Sequence, residues 1–214
     1  MTKEGFKFLV PALAIVLILF VVGVYISNAI VLVFAVILVL ISLFFVFFFR
    51  DPERKIPNGE SLILSSADGR VILIKPFQNS EFMGKEGTLV SVFMSVFNVH
   101  INRVPVSGRV RYLKYNPGKF FPAFKDKASS ENEQTELGLE NEHGRIILKQ
   151  IAGIIARRIV CKVRAGDKVQ AGQRLGMIQF GSRVDLFLPE EVEIKVKLGQ
   201  KVRAGETIVG IFKK

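Results

Sequence analysis

A Gly–Ser pair in the C-terminal part of the chain has the residue types for covalent chemistry on its own backbone. The segment reads Phe180-Gly181-Ser182-Arg183-Val184, and glycine places no side chain in the way of a hydroxyl that attacks its carbonyl. Such an attack converts the peptide into an ester, and elimination then breaks the chain, leaving dehydroalanine that loses ammonia to give a pyruvoyl group. An amine substrate forms a Schiff base with this carbonyl, which accepts electrons as carbon dioxide leaves. A plain β-turn is the alternative role of the same pair.

Other reactive side chains are few. The chain has one cysteine, Cys161, and two histidines, His100 and His143, which excludes a disulfide framework and a metal site built on several thiolates or imidazoles. We therefore expect no metal. An imidazole ordinarily titrates near neutrality, which suits His100 to proton delivery, and a satisfied polar residue at a strand end is the alternative. His143 stands in a Glu-His-Gly turn and is expected to be solvated.

Short apolar runs separated by turn residues indicate the elements that must position these side chains. They favour a mainly β domain with mostly antiparallel strands. The predicted strands are Val71–Ile74, Thr88–Phe97, Gly108–Tyr115, Met177–Phe180, Val184–Leu188, Val192–Lys197 and Thr207–Phe212. The apolar run Ile146–Val160 fits a strand or a helix. The polar segment Pro117–Leu137 predicts a loop or short helix, either solvated with its phenylalanines in the core or acting as a lid that touches lipid.

An internal repeat lies at the C-terminus. The segment Gly166–Gly172 recurs as Gly199–Gly205, with an offset of 33 residues, and each copy reads as strand, glycine turn, strand. The pair resembles the half-repeats of the lipoyl and biotinyl carrier sandwich, so we expect the β-rich domain to end in such a pair. Those carriers present a modified lysine between the halves. Ser182 occupies that position here, which argues against a carrier function.

The N-terminal part of the chain is a membrane segment by composition. Residues 8–49 contain no charged side chain. This segment is about twice as long as the roughly 20 apolar residues that one spanning helix needs. A turn at Tyr25–Asn28 divides them into predicted helices over 8–26 and 29–49; a single, steeply tilted helix is the alternative. Basic residues flank both outer ends and not the turn, which predicts that both termini are cytoplasmic. Without intramembrane charges, the hairpin is expected to be an anchor rather than a channel.

Composition beyond the hairpin indicates one basic cytoplasmic domain. We predict a transmembrane hairpin over 1–49, a Pro- and Gly-containing linker over 50–59 and a domain over 60–214. The net charge is +11, of which Lys3 and Lys7 against Glu4 give the first 49 residues +1 and leave +10 to the remainder. This charge favours attraction to anionic lipid at the cell membrane, with plain solubility as the alternative. Nucleic acid is not expected as a partner, since the charge is scattered and no recognition module is present.

Six segments in chain order carry a resemblance to a known family. They are Ala67–Val71, Phe93–Gly108, Tyr115–Phe120, Ala128–Glu133, Gln150–Val160 and Phe180–Asp185. Together they resemble the motifs of the phosphatidylserine decarboxylases, most closely those of the short subfamily found in many bacteria and archaea. The resemblance runs from about residue 57 to the C-terminus.

The resemblance implies a role for each matching residue. Ser182 would become the pyruvoyl group, and the bond after Gly181 would be the cleavage point, giving chains 1–181 and 182–214 that stay associated as a heterodimer. Asp68 matches the acid that assists self-cleavage, and His100 matches a histidine near the reacting carboxylate. Long-form relatives carry a second histidine where this chain has Arg103, which remains charged and is not an ordinary base.

Two further residues and the overall function complete the expectations. Arg157 or Arg158 is predicted to bind the substrate phosphate or carboxylate, because a guanidinium fork suits oxyanions; surface charge is the alternative. The resemblance implies a pyruvoyl-dependent lyase, made as a zymogen, that forms phosphatidylethanolamine and carbon dioxide from phosphatidylserine in the bilayer. Two rivals are a decarboxylase of an ether-linked analogue and a non-catalytic, membrane-tethered adaptor, which would remain a single 23.9 kDa chain.

Overall fold

Two compact units make up the chain, Met1–Pro52 and Glu53–Lys214. The structure, a computed structural model, describes residues 1–78, 81–119, 121–124, 128–153, 159–179 and 181–213.

The first unit is a pair of apolar helices. Helix α1 spans Lys3–Tyr25 and α2 spans Ala29–Phe48. The Asn28 side chain accepts hydrogen bonds from the first backbone N–H groups of α2 at 3.0 and 3.3 Å, a cap that starts the helix after the turn. The most apolar windows have mean hydropathies of 2.8 and 3.4, so both helices are long and apolar enough to cross a membrane. The predicted helical hairpin is confirmed, with α1 beginning five residues before the predicted residue 8.

The second unit is almost entirely β. An eight-stranded antiparallel sheet has the order β13-β2-β3-β11-β7-β6-β5-β9, and two three-stranded sheets have the orders β1-β14-β12 and β4-β10-β8. The one short helix is α3 (Ala128–Glu131) among the described residues. The strands are β1 Leu62–Leu64, β2 Gly69–Phe77, β3 Gly87–Met94, β4 Ile101–Arg103, β5 Gly108–Asn116, β6 Gln134–Asn141, β7 Gly144–Ile151, β8 Ile159–Cys161, β9 Lys168–Val169, β10 Arg174–Ile178, β11 Ser182–Pro189, β12 Val192–Ile194, β13 Lys201–Val202 and β14 Ile208–Phe212.

The predicted repeat is confirmed, and its glycines explain it. Gly166 and Gly199 have φ of 94° and 81°, and Gly172 and Gly205 have φ of 79° and 74°. These left-handed conformations strain any residue with a side chain. Each copy is therefore a glycine turn, a two-residue strand, a second glycine turn and a five-residue strand.

The eight-stranded sheet has an approximate two-fold symmetry that relates its two halves. Strands β13, β2, β3 and β11 correspond to β9, β5, β6 and β7. Lys201 pairs with Arg70 in one half as Lys168 pairs with Arg109 in the other. Two backbone hydrogen bonds also join the two halves. Leu64 N–H donates to the Pro105 carbonyl and Arg103 N–H donates to the Ser66 carbonyl, both at 2.9 Å. Each C-terminal repeat therefore binds a partner segment from the middle of the chain.

The structure decides two segments whose sequence pattern left alternatives open. The predicted loop over Pro117–Leu137 ends in strand β6, which begins at Gln134. The ambiguous run Ile146–Val160 is strand β7 up to Ile151, and β8 begins at Ile159. Residues 154–158 between them lie outside the described residues. The core of the domain fills with the inward-facing residues of β3, β7 and β11, among them Val92, Leu148 and Leu186.

Candidate active site

Ser182 is the first residue of β11 and is completely buried. Strand β11 lies between β3 and β7, and Ser182 is paired with Met94, the last residue of β3. The Ser182 Oγ lies 3.5 Å from the Met94 Sδ, its one hydrogen-bonding contact among the described residues. Because a thioether is a weak acceptor, this hydroxyl is shielded from water but weakly held, so it can turn toward the preceding peptide.

Two glycines surround the peptide bond before Ser182. Gly181 has a φ of 42°, and, its chain neighbours aside, no atom of the described residues lies within 4 Å of the place where a Cβ would stand. Gly153 approaches the same peptide so closely that a Cβ on it would lie 1.9 Å from the Gly181 carbonyl oxygen. The backbone at Gly153 therefore packs directly on this carbonyl, and the other side of Gly181 is open. An intramolecular attack on the Gly181 carbonyl fits this arrangement.

Asn132 holds the segment that brings Gly153 to this position. Its side-chain amide donates to the carbonyls of Phe121 and Ala152, each at 2.7 Å, and its Oδ1 accepts from the Phe121 N–H at 2.8 Å. Asn132 is 1% exposed, so these bonds replace those that water would make. The polar segment predicted as a loop or lid thus positions the backbone beside Gly181.

A row of buried polar side chains continues inward from Ser182. Met94 Sδ, which contacts the serine, lies 3.6 Å from Asn102 Nδ2, and Asn102 Oδ1 accepts from Gln150 Nε2 at 2.8 Å. All four side chains are fully buried. The Gln150 Oε1 has no hydrogen-bond partner among the described residues. It can therefore accept a hydrogen bond from a hydroxyl or an amine.

His100 is fully buried at the start of β4. Its Nδ1 lies 2.9 Å from the Asn98 carbonyl oxygen. Because a carbonyl only accepts, Nδ1 carries the proton and Nε2 is the basic nitrogen of the neutral ring. The His100 carbonyl accepts from the Ile178 N–H at 3.4 Å. Ile178 ends β10, four residues before Ser182, so the β4–β10 pairing brings the histidine to the chain segment that leads into the serine.

Asp68, which the resemblance assigns to self-cleavage, lies one intervening strand away from the serine. It precedes β2, which is separated from β11 by β3. Its carboxylate accepts two hydrogen bonds from the Arg54 Nη2, at 2.9 and 3.0 Å, and one from the Ala204 N–H at 2.8 Å. The structure therefore brings His100 toward Ser182 but holds Asp68 in a separate salt bridge two strands away.

The other predicted site residues have different outcomes. Arg103, which replaces a family histidine, is buried and donates from Nη1 to the Gly172 carbonyl at 2.8 Å. This bond ties it to a glycine turn of the repeat. Arg157 and Arg158 lie outside the described residues, so their predicted substrate contact stays a prediction.

Arg183 is a buried charge beside the serine that sequence patterns did not single out. It is 1% exposed and pairs with Asp185 at 2.6 Å. Its Nη2 also donates to the Ser91 Oγ of β3 at 2.7 Å. A buried guanidinium requires such partners, and here they fix the first residues of β11 against β3.

Comparison with known proteins is consistent with this geometry. The family model described as phosphatidylserine decarboxylase matches residues 41–210. The chain is 49% identical over 205 residues, 96% of each chain, to the phosphatidylserine decarboxylase proenzyme of Chlorobium phaeobacteroides (strain BS1). The proteins with the same name from Geobacter metallireducens and Syntrophus aciditrophicus are 46% and 51% identical over 98% and 80% of this chain, and over 95% and 81% of theirs.

This chain belongs to the phosphatidylserine decarboxylase family. The match covers more than three quarters of the chain and contains every predicted site residue. Residues in the family-like segments that had no predicted role now have one. Met94, Asn102, Gln150 and Gly153 stand inside those segments. Met94 contacts Ser182, Gly153 packs on Gly181, and Asn102 and Gln150 continue inward from Met94. All of these contacts join segments distant in sequence.

Proposed function

We propose that this protein is a membrane-associated phosphatidylserine decarboxylase that makes its own pyruvoyl group from Ser182. The observation that carries the proposal is the buried, weakly held Ser182 hydroxyl beside a Gly181 peptide with a left-handed φ and an open side. The word proenzyme in the names of its relatives supports self-processing. The substrate class comes from the same names.

The residues present fit the formation of such a group. Ser182 is shielded from water, which protects an ester and an electron-poor carbonyl from wasteful hydrolysis. Gly153 leaves room only for a backbone atom at the Gly181 oxygen. When present, the pyruvoyl group supplies a carbonyl that draws electrons from the amine substrate during loss of carbon dioxide.

The chain's own residues then have the following proposed tasks. The Ser182 Oγ attacks the Gly181 carbonyl carbon. With its Nδ1 committed to Asn98, His100 takes at Nε2 the proton that the substrate ammonium group releases on becoming an amine. It returns that proton to the substrate α-carbon after the carboxylate has left as carbon dioxide. Asp68 acts as a positioning residue for self-cleavage, because its salt bridge and its bond to Ala204 fix the start of β2.

The two N-terminal helices are proposed to anchor the enzyme to the membrane that contains its substrate. Both are long and apolar enough to span. We place the domain over 60–214 on the cytoplasmic side, on the basis of the basic residues at both outer ends of the hairpin. After cleavage, chains 1–181 and 182–214 are proposed to remain together.

Substitution of Ser182 tests this function. The wild-type chain, purified in detergent, should give two masses, and the short one should lack ammonia relative to an N-terminal serine. Ser182→Ala should remain a single chain near 23.9 kDa without decarboxylase activity. Ser61→Ala, far along the chain from this site, is the matched control and should be cleaved normally. Cleavage of the Ser182→Ala chain would refute the assignment, and an intact, inactive wild type would favour the adaptor.

A further inference from the structure

An open cavity of about 610 Å³ lies beside the candidate active site. The residues that matter for its chemistry are Asp68 and Arg70 at the start of β2, Ser95 and Asn98 in the turn after β3, and Lys201 and Arg203 at β13. The Asn98 carbonyl in the same turn holds the Nδ1 of His100. The volume falls in the usual range for small-molecule sites.

The charge of this cavity is positive. Its one carboxylate, Asp68, is held by Arg54 in a two-pronged salt bridge. Arg203 is 3.6 Å from Glu206, whereas neither Arg70 nor Lys201 forms an ion pair with a described residue. Arg70 donates to the Gly199 carbonyl at 2.9 Å, which orients the guanidinium without neutralising it. Two cations therefore face the opening with their charge available to an anion.

The symmetric half of the sheet shows that this charge is not general to the fold. Arg109 and Lys168 stand where the first half has Arg70 and Lys201. Arg109 is paired across the strands with Glu140, whereas Arg70 is paired with Phe93. Glu140 also forms ion pairs with Arg111 and Arg145. The second half thus has a glutamate where the first half has a phenylalanine, and Ser182 itself belongs to a strand of the first half.

The cavity lies within reach of a substrate held at Ser182. Gly69, which lines it, and Ser182 lie on the two strands that flank β3, and two strand spacings amount to about 10 Å. In a phosphoserine headgroup the phosphorus is three bonds from the α-carbon. Arg70 is on the same strand as Gly69, and Lys201 is one strand farther, about 14 Å from β11. A headgroup with its amine at residue 182 can direct its phosphate toward the cavity, which the long side chains of Arg70 and Lys201 line.

We propose that this cavity binds the phosphodiester of the lipid headgroup, with Arg70 and Lys201 as residues that determine specificity for it. The inference rests on the proposed function and names the subsite for the phosphate. Arg70 supplies a forked donor and Lys201 a point charge. Free inorganic phosphate has the same oxyanion chemistry, and the experiment distinguishes the two sources.

The test compares two double variants of the full-length chain in detergent. Arg70→Gln/Lys201→Gln removes the cavity cations, and Arg109→Gln/Lys168→Gln removes their symmetric counterparts. Both chains should be cleaved as completely as wild type, measured by intact mass. In mixed micelles, the first variant should show about a tenfold higher KM for phosphatidylserine with kcat within about twofold, because both charge contacts to the phosphate are lost together. The second should keep the wild-type KM.

Binding to the uncleaved Ser182→Ala chain separates the subsite from the reaction. Glycerophosphoserine should bind this chain in calorimetric titration, and adding Arg70→Gln/Lys201→Gln should abolish the binding. Equal binding of inorganic phosphate would overturn the assignment to a headgroup. An equal KM in all three enzymes, or an equal rise in both double variants, would overturn it as well. Failure of wild type to decarboxylate would refute the proposed function, while the titration would still decide the subsite.

Discussion

At the scale of single residues, the site depends on backbone approach more than on side-chain acids. Gly153 packs against the Gly181 carbonyl at a distance that no side chain allows, and Asn132 holds the neighbouring residue Ala152 in place. Among the described residues, the serine hydroxyl has a thioether as its one hydrogen-bond partner. The proposed reactivity of Ser182 therefore rests on the geometry of its peptide and on its isolation from water.

Substitution of Gly153 should separate this geometry from general stability. Gly153→Ala places a Cβ 1.9 Å from the Gly181 oxygen, so it should displace that carbonyl and slow cleavage at least tenfold. Gly87→Ala is the matched control, because its Cβ would lie 2.0 Å from the Leu188 oxygen at the other end of β11. Both should lose about 1–3 kcal/mol of stability. The time course of chain cleavage after cell-free synthesis is the measurement, and equal rates would contradict the proposed role.

Sequence motifs predicted some of these residues and not others, for a physical reason. Gly181, Ser182 and His100 carry recognisable chemistry in short local segments. Met94 and Gly153 act through contacts with residues 88 and 28 positions away along the chain, and a single sequence does not state which strands are neighbours. Asp68 was predicted from a motif alone, and the structure adds that Arg54 occupies its carboxylate.

At the scale of elements, strand β6 shows how a polar pattern can hide a strand. Its residues Gln134, Thr135 and Glu136 read as loop, while Leu137 and Leu139 are fully buried in the core. Glu136 has partners on both neighbouring strands, and the Tyr112 hydroxyl of β5 donates to it at 2.7 Å. Lys149 of β7 lies 2.8 Å from the Glu136 carboxylate. Alternation of this kind is recognisable only once the flanking strands are known.

The carboxyl group of Glu136 should make the stability of the sheet depend on pH. Burial alone would raise the pKa of Glu136, but hydrogen bonds from Lys149 and Tyr112 outweigh it and lower that pKa below its usual value. A lowered folded-state pKa stabilises the fold above the unfolded value, and this stabilisation is lost as the pH falls through the folded pKa. Glu136→Gln should therefore cost about 0.5–1 kcal/mol at pH 7 and reduce the loss of stability below about pH 4.5.

Urea unfolding of the uncleaved Ser182→Ala chain at several pH values measures this effect. Glu193→Gln serves as the control, since Glu193 forms its ion pair with Lys195 at an exposed site, where both side chains are more than a third exposed. That variant should change stability by less than about 0.5 kcal/mol at any pH. If the unfolding free energy of the Ser182→Ala chain depends on pH in the same way with and without Glu136→Gln, the hydrogen bonds of Glu136 do not contribute to stability.

At the scale of the whole domain, the approximate symmetry explains how the proposed cleavage would leave the sheet whole. In the second half, β6 and β7 are joined by a tight hairpin at Asn141–Gly144. In the first half, the corresponding strands β3 and β11 are paired but far apart in sequence, with Met94 opposite Ser182. The peptide bond before Ser182 therefore does not lie in a hairpin that connects two paired strands. Its loss leaves the ladder between β3 and β11 intact.

The two products of cleavage should consequently behave as one folded unit. The short chain contributes β11 between β3 and β7, β13 beside β2, and β14 between β1 and β12. Arg183 of the short chain is also bonded to Ser91 of the long chain, fully out of contact with water. Burial of these apolar strand residues stabilises the association enough to hold the two chains together without the peptide bond. We expect chains 1–181 and 182–214 to elute together in detergent at neutral pH and to separate only in denaturant.

Arg183 offers a way to test this association directly. Ser91→Ala removes one bond to the guanidinium while Asp185 remains, so the pair of chains should stay together but unfold at a lower urea concentration. The expected cost is about 1–3 kcal/mol, because a buried donor loses its acceptor. Ser107→Ala, which removes one hydroxyl that accepts from the Ala171 N–H at an exposed site, should cost less. If the short and long chains of the wild type elute separately without denaturant, the shared sheet does not hold them together and the prediction is wrong.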